Sequence, residues 1–219
     1  MTEKKFEAVV FDMDGVIFDS EKIYRKFEMV IGKEYGFSEE TCIKICEKIA
    51  GGTRESNKKN FAEIVGPEYN YYEYREKMIR MLDAYSDEYG FELKAGVKEL
   101  LDYLKNKGVR MAIATSTVRE RAEKHLKAHD IYDYFDEIVY GDTVPKGKPA
   151  PDIYLKACEV LDVNPENAIG IEDSINGVIS SSTAGLHTVM VVDLIQPNDI
   201  VREKADEIFY IITDVKNLI

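Results

Sequence analysis

With 219 residues, 45% of them apolar and 32% charged, the chain has material for one large domain or for a core carrying a smaller insert, and it is too apolar to be extensively disordered. A formal net charge of −12 argues against nucleic acid or an anionic membrane surface as partner, because both attract Lys/Arg patches and none is visible. Three cysteines are too few for a disulfide scaffold; Cys42 and Cys46 recur at helical spacing in an apolar pattern and are expected to face a core in a reducing compartment.

Met1 to Lys5 runs straight into an apolar stretch, without the long apolar region of a signal peptide, and no segment reaches membrane-spanning length, so a cytoplasmic protein is expected. Residues 6–11 read as a buried strand. Asp12 and Asp14 follow it, two residues apart, in the run Phe11-Asp12-Met13-Asp14-Gly15-Val16-Ile17-Phe18-Asp19-Ser20. A buried strand cannot hold ionised side chains cheaply, so this pair belongs just past its carboxyl end, where open α/β sheets bind their ligands.

Residues 21–88 carry helical patterns only: Ile23, Phe27, Val30 and Ile31, then Cys42, Ile45, Cys46 and Ile49, then Tyr71, Tyr74, Met78, Met81, Leu82 and Tyr85. Gly51-Gly52 and Gly66-Pro67 break the pattern. One right-handed crossover needs a single helix, so four or so helical segments after one strand indicate an inserted helical bundle. The expected division is a core of residues 1–18 and 90–219 and an insert of 19–89, with hinges at 19–20 and 89–90. Tyr69, Tyr71, Tyr72, Tyr74 and Tyr85 are expected to pack that bundle.

From Gly96 helices and strands alternate. Val97, Leu100, Leu101 and Leu104 form a stripe that stops at Gly108, and an apolar strand follows over 109–114. Further strands are expected at 137–140, 168–171, 188–192 and 208–210, with helices near 119–127, 152–161 and 174–183. Near-continuous apolar strands between helices imply a Rossmann-like α/β fold, a doubly wound parallel sheet covered on both faces. His125 and His129 lie four apart on one predicted helix but lack the acidic residue of a zinc-protease motif, and are expected at the surface.

In such a sheet the strand ends converge on one edge. Asp12 and Asp14 follow the first strand, Thr115, Ser116 and Thr117 the second, Lys146 and Lys148 lie after the third, and Glu172 and Asp173 after the fourth. Clustered carboxylates stay ionised together when they share a cation, and hard oxygen ligands favour Mg²⁺. Hydroxyls and a lysine suit an anionic phosphoryl group, so the residues themselves point to Mg²⁺-assisted phosphoryl chemistry.

Asp12-Met13-Asp14-Gly15-Val16, Ala114-Thr115-Ser116, Lys148-Pro149 and Gly170-Ile171-Glu172-Asp173-Ser174 resemble, in order and spacing, the four motifs of the haloacid dehalogenase superfamily. Gly147 to Asp152 and the insert after the first motif resemble the branch with β-phosphoglucomutases and sugar-phosphate phosphatases. The resemblance implies Asp12 as nucleophile, taking the phosphoryl group as an aspartyl-phosphate, and Asp14 as the acid that protonates the leaving alcohol and then activates water. It implies Thr115, Ser116 and Lys148 as phosphate ligands, with Lys146 left in a solvated loop. Mg²⁺ would be held by Asp12, the main-chain carbonyl of Asp14, Asp173 and Glu172, the last directly or through water. The insert would be a cap that closes over the site, with Gly51, Arg54 and Tyr24 facing the substrate and Arg54 reaching a distal group.

Two departures weigh against a mutase: Tyr24 stands where those enzymes have a cap histidine, and Ala50 stands where they have a lysine. The expected activity is therefore a Mg²⁺-dependent phosphatase of a small phosphorylated metabolite, a sugar phosphate above others, acting as a monomer. A phosphomutase is the alternative, and a phosphate-binding regulatory protein without turnover the second. Dehalogenation is disfavoured, because Asp14 and the Mg²⁺ carboxylates have no task in displacing halide.

Overall fold

The computed structural model describes residues 6–219; the segment Met1 to Lys5, read above for targeting signals, lies outside the described residues. The first strand, β1 (Ala8–Phe11), is followed by four helices: α1 (Glu21–Glu34), α2 (Glu39–Ile49), α3 (Arg54–Val65) and α4 (Tyr71–Tyr89). Strands and helices then alternate as α5 (Val97–Lys107), β2 (Arg110–Thr115), α6 (Arg119–Ala128), β3 (Glu137–Tyr140), α7 (Asp152–Leu161), β4 (Ala168–Glu172), α8 (Ile175–Ala184), β5 (His187–Val191), α9 (Asp199–Lys204) and β6 (Glu207–Phe209). The helix at α9 carries too short a pattern to have been expected from periodicity. Val109, expected in a strand, instead donates its N–H to Leu104 O (3.1 Å) and closes α5, so β2 begins one residue later.

The strands form one sheet in the order β3-β2-β1-β4-β5-β6, with every neighbouring pair parallel. β1 is central, and the winding reverses between β1 and β4, which opens a crevice at their carboxyl ends. The pleat sends alternate residues to opposite layers. Val9 and Phe11 pack with Leu100, Leu104 and Ile113, while Ala8 and Val10 pack with Ala112, Ile153 and Ala157. Both faces are thus covered, which is why the strands read as unbroken apolar runs.

Helices α1 to α4 have a core of their own, in which Ile31, Ile45, Phe61, Tyr74 and Met78 are buried together. Side chains start three of them: Ser38 accepts from Thr41 N, Thr53 and Ser56 cap each other reciprocally, and Asn70 accepts from Tyr72 N and Glu73 N. The tyrosines pack as expected, Tyr74 lying 4.8 Å from Phe61 and 5.0 Å from Tyr35 between ring centroids. Across to the sheet layer, Asp83 and Asp87 of α4 pair with Arg121 and Lys124 of α6.

His125 and His129 are not surface residues. They share the face of α6 that meets Phe18, with ring centroids 5.8 and 5.4 Å away, and His129 Nε2 lies 2.6 Å from Phe91 O. Their i, i+4 spacing reflects an inward face, covered by Phe18 and Phe91 beside the two connections to the four-helix segment, with Ser86 of α4 against the His125 ring. Among the described residues no helix is long and apolar enough to cross a membrane.

Glu28 sits on the inner face of α1 without solvent access; Tyr74 donates its hydroxyl to Oε1, and Oε2 has no partner. Burial pushes this carboxyl up to about 7, with the Tyr74 hydrogen bond opposing. Its folded value lies above the unfolded one, so the folded state binds this proton more tightly and stability falls as pH rises from about 4.5 to about 7. Glu28→Gln keeps an acceptor for Tyr74 without the charge. Denaturant unfolding at pH 5 and pH 8 should show a flatter fall in the variant, which at pH 8 is more stable than wild type by roughly 2 kcal/mol.

Candidate active site

Asp12 is the first residue past β1, held at the switch point by its N–H donating to Ile171 O of β4 (2.9 Å). The chain then turns tightly: Ile17 N and Phe18 N both reach Met13 O, and Gly15 adopts φ +81°. A Cβ on Gly15 would stand 2.1 Å from Asp173 Oδ2, so only glycine lets this turn lie against the β4 carboxylate. The turn aims Asp14 at the end of β2, where Thr117 Oγ1 donates to its Oδ2, while Ser20 Oγ donates to its Oδ1, both at 2.8 Å.

Behind Asp12 lies Lys148, a fully buried lysine whose Nζ is 2.5 Å from Asp12 Oδ1 and 2.6 Å from Glu172 Oε1. Glu172 is occupied on both oxygens, since Tyr154 of α7 donates to Oε1 (2.7 Å) and Ser174 to Oε2 (3.2 Å). Asp12, Glu172 and Asp173 each offer an oxygen within 4.8 Å of the others. Burial pushes the Asp12 carboxyl up to about 7, Glu172 and Asp14 adding to the push and Lys148 opposing it. Burial also raises Asp173 well above the carboxylate range, helped by Glu21 and Asp12. Burial works against the Lys148 ammonium, but Asp12 and Glu172, by charge and hydrogen bond, outweigh it and hold the group above its usual range and therefore charged.

These charges test whether a divalent cation suits the site. Ionised together, three clustered carboxylates against one ammonium would leave two negative charges uncompensated, which together with burial is why Asp12 and Asp173 hold their protons without a cation, and every donor is a hard oxygen. The residues present fit Mg²⁺, with Asp12 and Asp173 the freer ligands because the Glu172 oxygens already accept from three groups.

A cavity of about 230 Å³ opens over Asp12, Asp14 and Asp173 and is roofed by the helical segment. The α2–α3 loop crosses it: Asn176 Nδ2 donates to Ala50 O (2.7 Å) and Ser116 Oγ to Gly51 O (3.4 Å). Gly51 has φ +67°, and a Cβ there would stand 2.5 Å from Ser174 Oγ. Among the residues singled out from sequence, Tyr24, Gly51 and Ser116 line the cavity, whereas Thr115, Lys148 and Glu172 are buried and absent from its walls. Lys146 is exposed.

Arg54 departs from expectation: it is exposed, lies over the Tyr72 ring (4.7 Å) and does not line the cavity. The cations that do are Arg75 of α4 and Arg121 of α6. Sequence reading missed both, together with Glu21, whose carboxyl burial and Asp14 push up to about 8, and His125. Glu21 is the first residue of α1 and carries no motif. The α4 residues Tyr71, Arg75, Met78, Leu82 and Ser86 share one face by spacing, but which face meets the catalytic edge is tertiary information.

A family model described as haloacid dehalogenase-like hydrolase matches residues 9–191. A phosphorylated carbohydrates phosphatase of Thermotoga maritima is 30% identical, covering 95% of this chain and 99% of the relative. The β-phosphoglucomutase of Bacillus subtilis is 32% identical over 84% of this chain and 83% of its own. A mutant of CbbY from Rhodobacter sphaeroides, solved with xylulose 1,5-bisphosphate, superposes with a TM-score of 0.69 at 26% identity, covering 94% of each chain.

Removing Lys148 leaves Asp12 and Glu172 buried without their counter-charge. Lys148→Met is expected to lose about 3–5 kcal/mol in denaturant unfolding, and Asp12→Asn in the same chain to recover part of it.

Proposed function

The chain belongs to the haloacid dehalogenase-like hydrolases, and on that premise we propose that it is a Mg²⁺-dependent phosphatase of small phosphorylated metabolites, sugar phosphates above others, working through an aspartyl-phosphate on Asp12. The observation that carries this reading is the pairing of two differently held carboxylates at one strand end: Asp12 gripped by a buried lysine, Asp14 by two hydroxyls.

Lys148 holds Asp12 Oδ1, and Oδ2 has no hydrogen-bond partner among the described residues. Oδ2 attacks phosphorus, the bond from phosphorus to the leaving oxygen breaks, and Asp14 gives that oxygen its proton. Asp14 then takes a proton from water, whose oxygen attacks the same phosphorus; the bond to Asp12 breaks and phosphate leaves. Ser20 and Thr117 can serve Asp14 in both protonation states, because a hydroxyl rotates to donate or accept. Thr115 Oγ1 accepts from Thr117 N (3.0 Å), which frees its own proton for a phosphoryl oxygen. Lys148 uses two of its three N–H donors on Asp12 and Glu172, leaving the third for the same purpose. Mg²⁺ held by Asp12, the Asp14 carbonyl and Asp173, with Glu172 directly or through water, would offset phosphoryl charge.

We take residues 19–89 as the cap and 1–18 with 90–219 as the core, the cap excluding water and selecting substrate. The Thermotoga relative, a phosphorylated carbohydrates phosphatase, supports a phosphorylated carbohydrate as substrate, and the sugar bisphosphate held by CbbY supports the same class. The Bacillus relative keeps a phosphomutase as second reading. Against it, burial holds the Tyr24 hydroxyl well above its usual range, so at this cavity wall it is no substitute for a proton-transferring histidine at neutral pH.

A screen of phosphorylated metabolites with Mg²⁺, reading inorganic phosphate, should find release from sugar phosphates. Sugar 6-phosphate appearing from sugar 1-phosphate without phosphate release establishes the mutase instead. Asp12→Asn is expected to lower kcat by about 10³-fold or more, and an unchanged rate rules out the covalent route. Asp14→Asn is expected to lower kcat by about 10²–10⁴-fold, with the smallest loss on substrates whose leaving group needs no proton.

A further inference from the structure

Beyond the carboxylates the cavity extends to a wall built by one face of α4 and one face of α6. Asp83 and Ser86 come from the first, Arg121 and His125 from the second. Arg121 grips Asp83 with two donors, Nε to Oδ1 at 2.8 Å and one terminal nitrogen to Oδ2 at 3.2 Å, so its charge is cancelled in place. His125 is only 8% exposed, with the rings of Phe18 and Phe91 at 5.8 and 4.9 Å. Its Nδ1 faces Ser86 Oγ at 3.4 Å, and its Nε2 has no hydrogen-bond partner among the described residues.

Burial keeps the imidazole below its usual value against the pull of Asp14, so the ring is neutral at physiological pH. A neutral ring with one nitrogen turned to a hydroxyl presents the other as a single directed donor or acceptor. A ligand that covers that nitrogen with apolar surface loses the hydrogen bond it makes to water; one that offers a hydroxyl replaces it. Arg121 has less to offer a second anionic group here, because Asp83 already takes two of its donors.

We propose that His125 is a specificity-determining residue that hydrogen-bonds a hydroxyl of the leaving group, so that the site prefers phosphate esters of polyhydroxylated alcohols to those of apolar alcohols. The position is on a sheet-covering helix rather than on the roof of the cavity, so it offers a fixed reference for the substrate. The identity of the ligand rests on the phosphatase reading above; the contact itself does not.

Two measurements test it. In His125→Leu the ratio of kcat/KM for glucose 6-phosphate to that for p-nitrophenyl phosphate should fall about tenfold, and His125→Gln should restore it to within about threefold. In the wild-type protein the His125 Nε2 resonance, followed by ¹⁵N imidazole spectra, should move on adding glucose 6-phosphate and stay in place with inorganic phosphate. An unchanged ratio, or an Nε2 signal that answers both ligands alike or neither, overturns the proposal. Where the leucine variant fails to fold, the wild-type spectra decide. If the wild type with Mg²⁺ releases phosphate from neither ester, the phosphatase reading fails, while a resonance that responds to glucose 6-phosphate alone still supports the contact.

Discussion

One buried lysine sets the terms for the catalytic edge. Lys148 has no access to solvent and bridges carboxylates from two adjacent strands, Asp12 after β1 and Glu172 at the end of β4. A buried ion pair of this kind is stabilising only while its geometry is complete, since the desolvation of each charge is large and is offset only by its partners. Tyr154 and Ser174 complete the shell around Glu172 from α7 and from the start of α8. The positions of β1, β4, α7 and α8 are therefore tied to one another through a charge cluster as well as through the apolar layers that flank the sheet. With its carboxylates ionised that cluster is short of positive charge, a shortfall that a divalent cation would offset.

Topology makes the cluster possible. Asp12 and Asp173 are far apart in sequence, yet β1 and β4 are direct neighbours because the winding reverses between them. The register pairs Phe11 with Ile171, so the residue after each pair emerges at the same height. A glycine at position 15 then allows the first turn to pack against the second carboxylate without a side chain intervening.

Much of this was legible in the sequence. Unbroken apolar runs such as Ala8 to Phe11 and Ala168 to Ile171, separated by helical stripes, describe a parallel sheet wherever they occur, and polar residues at their ends have nowhere to go but the catalytic edge. The run of four helical segments after β1 likewise announces an insert. What the sequence left unread is how that insert faces the sheet. Arg54 follows a glycine pair that does reach the cavity through Gly51, but its own side chain leaves along the outer surface to Tyr72, one turn away from the path its neighbour takes. Arg75 and His125 carry no motif, and their helices are amphipathic in ways that fit several packings. His125 in particular looked like a solvent-facing residue, because the side chains that bury it, Phe18 and Phe91 beside the two connections to the four-helix segment and Ser86 at its end, are remote from it in sequence.

The ion pairs that join α4 to α6 make that contact sensitive to salt. Asp83 with Arg121 and Asp87 with Lys124 lie one turn apart on both helices and are partly open to water. Individually such pairs contribute little. Acting together they form an electrostatic seam between the two helices, one pair of it at the cavity wall. Ionic strength, which screens exposed charges over about 8–10 Å, weakens that seam far more than it weakens the buried pairing of Asp12 with Lys148.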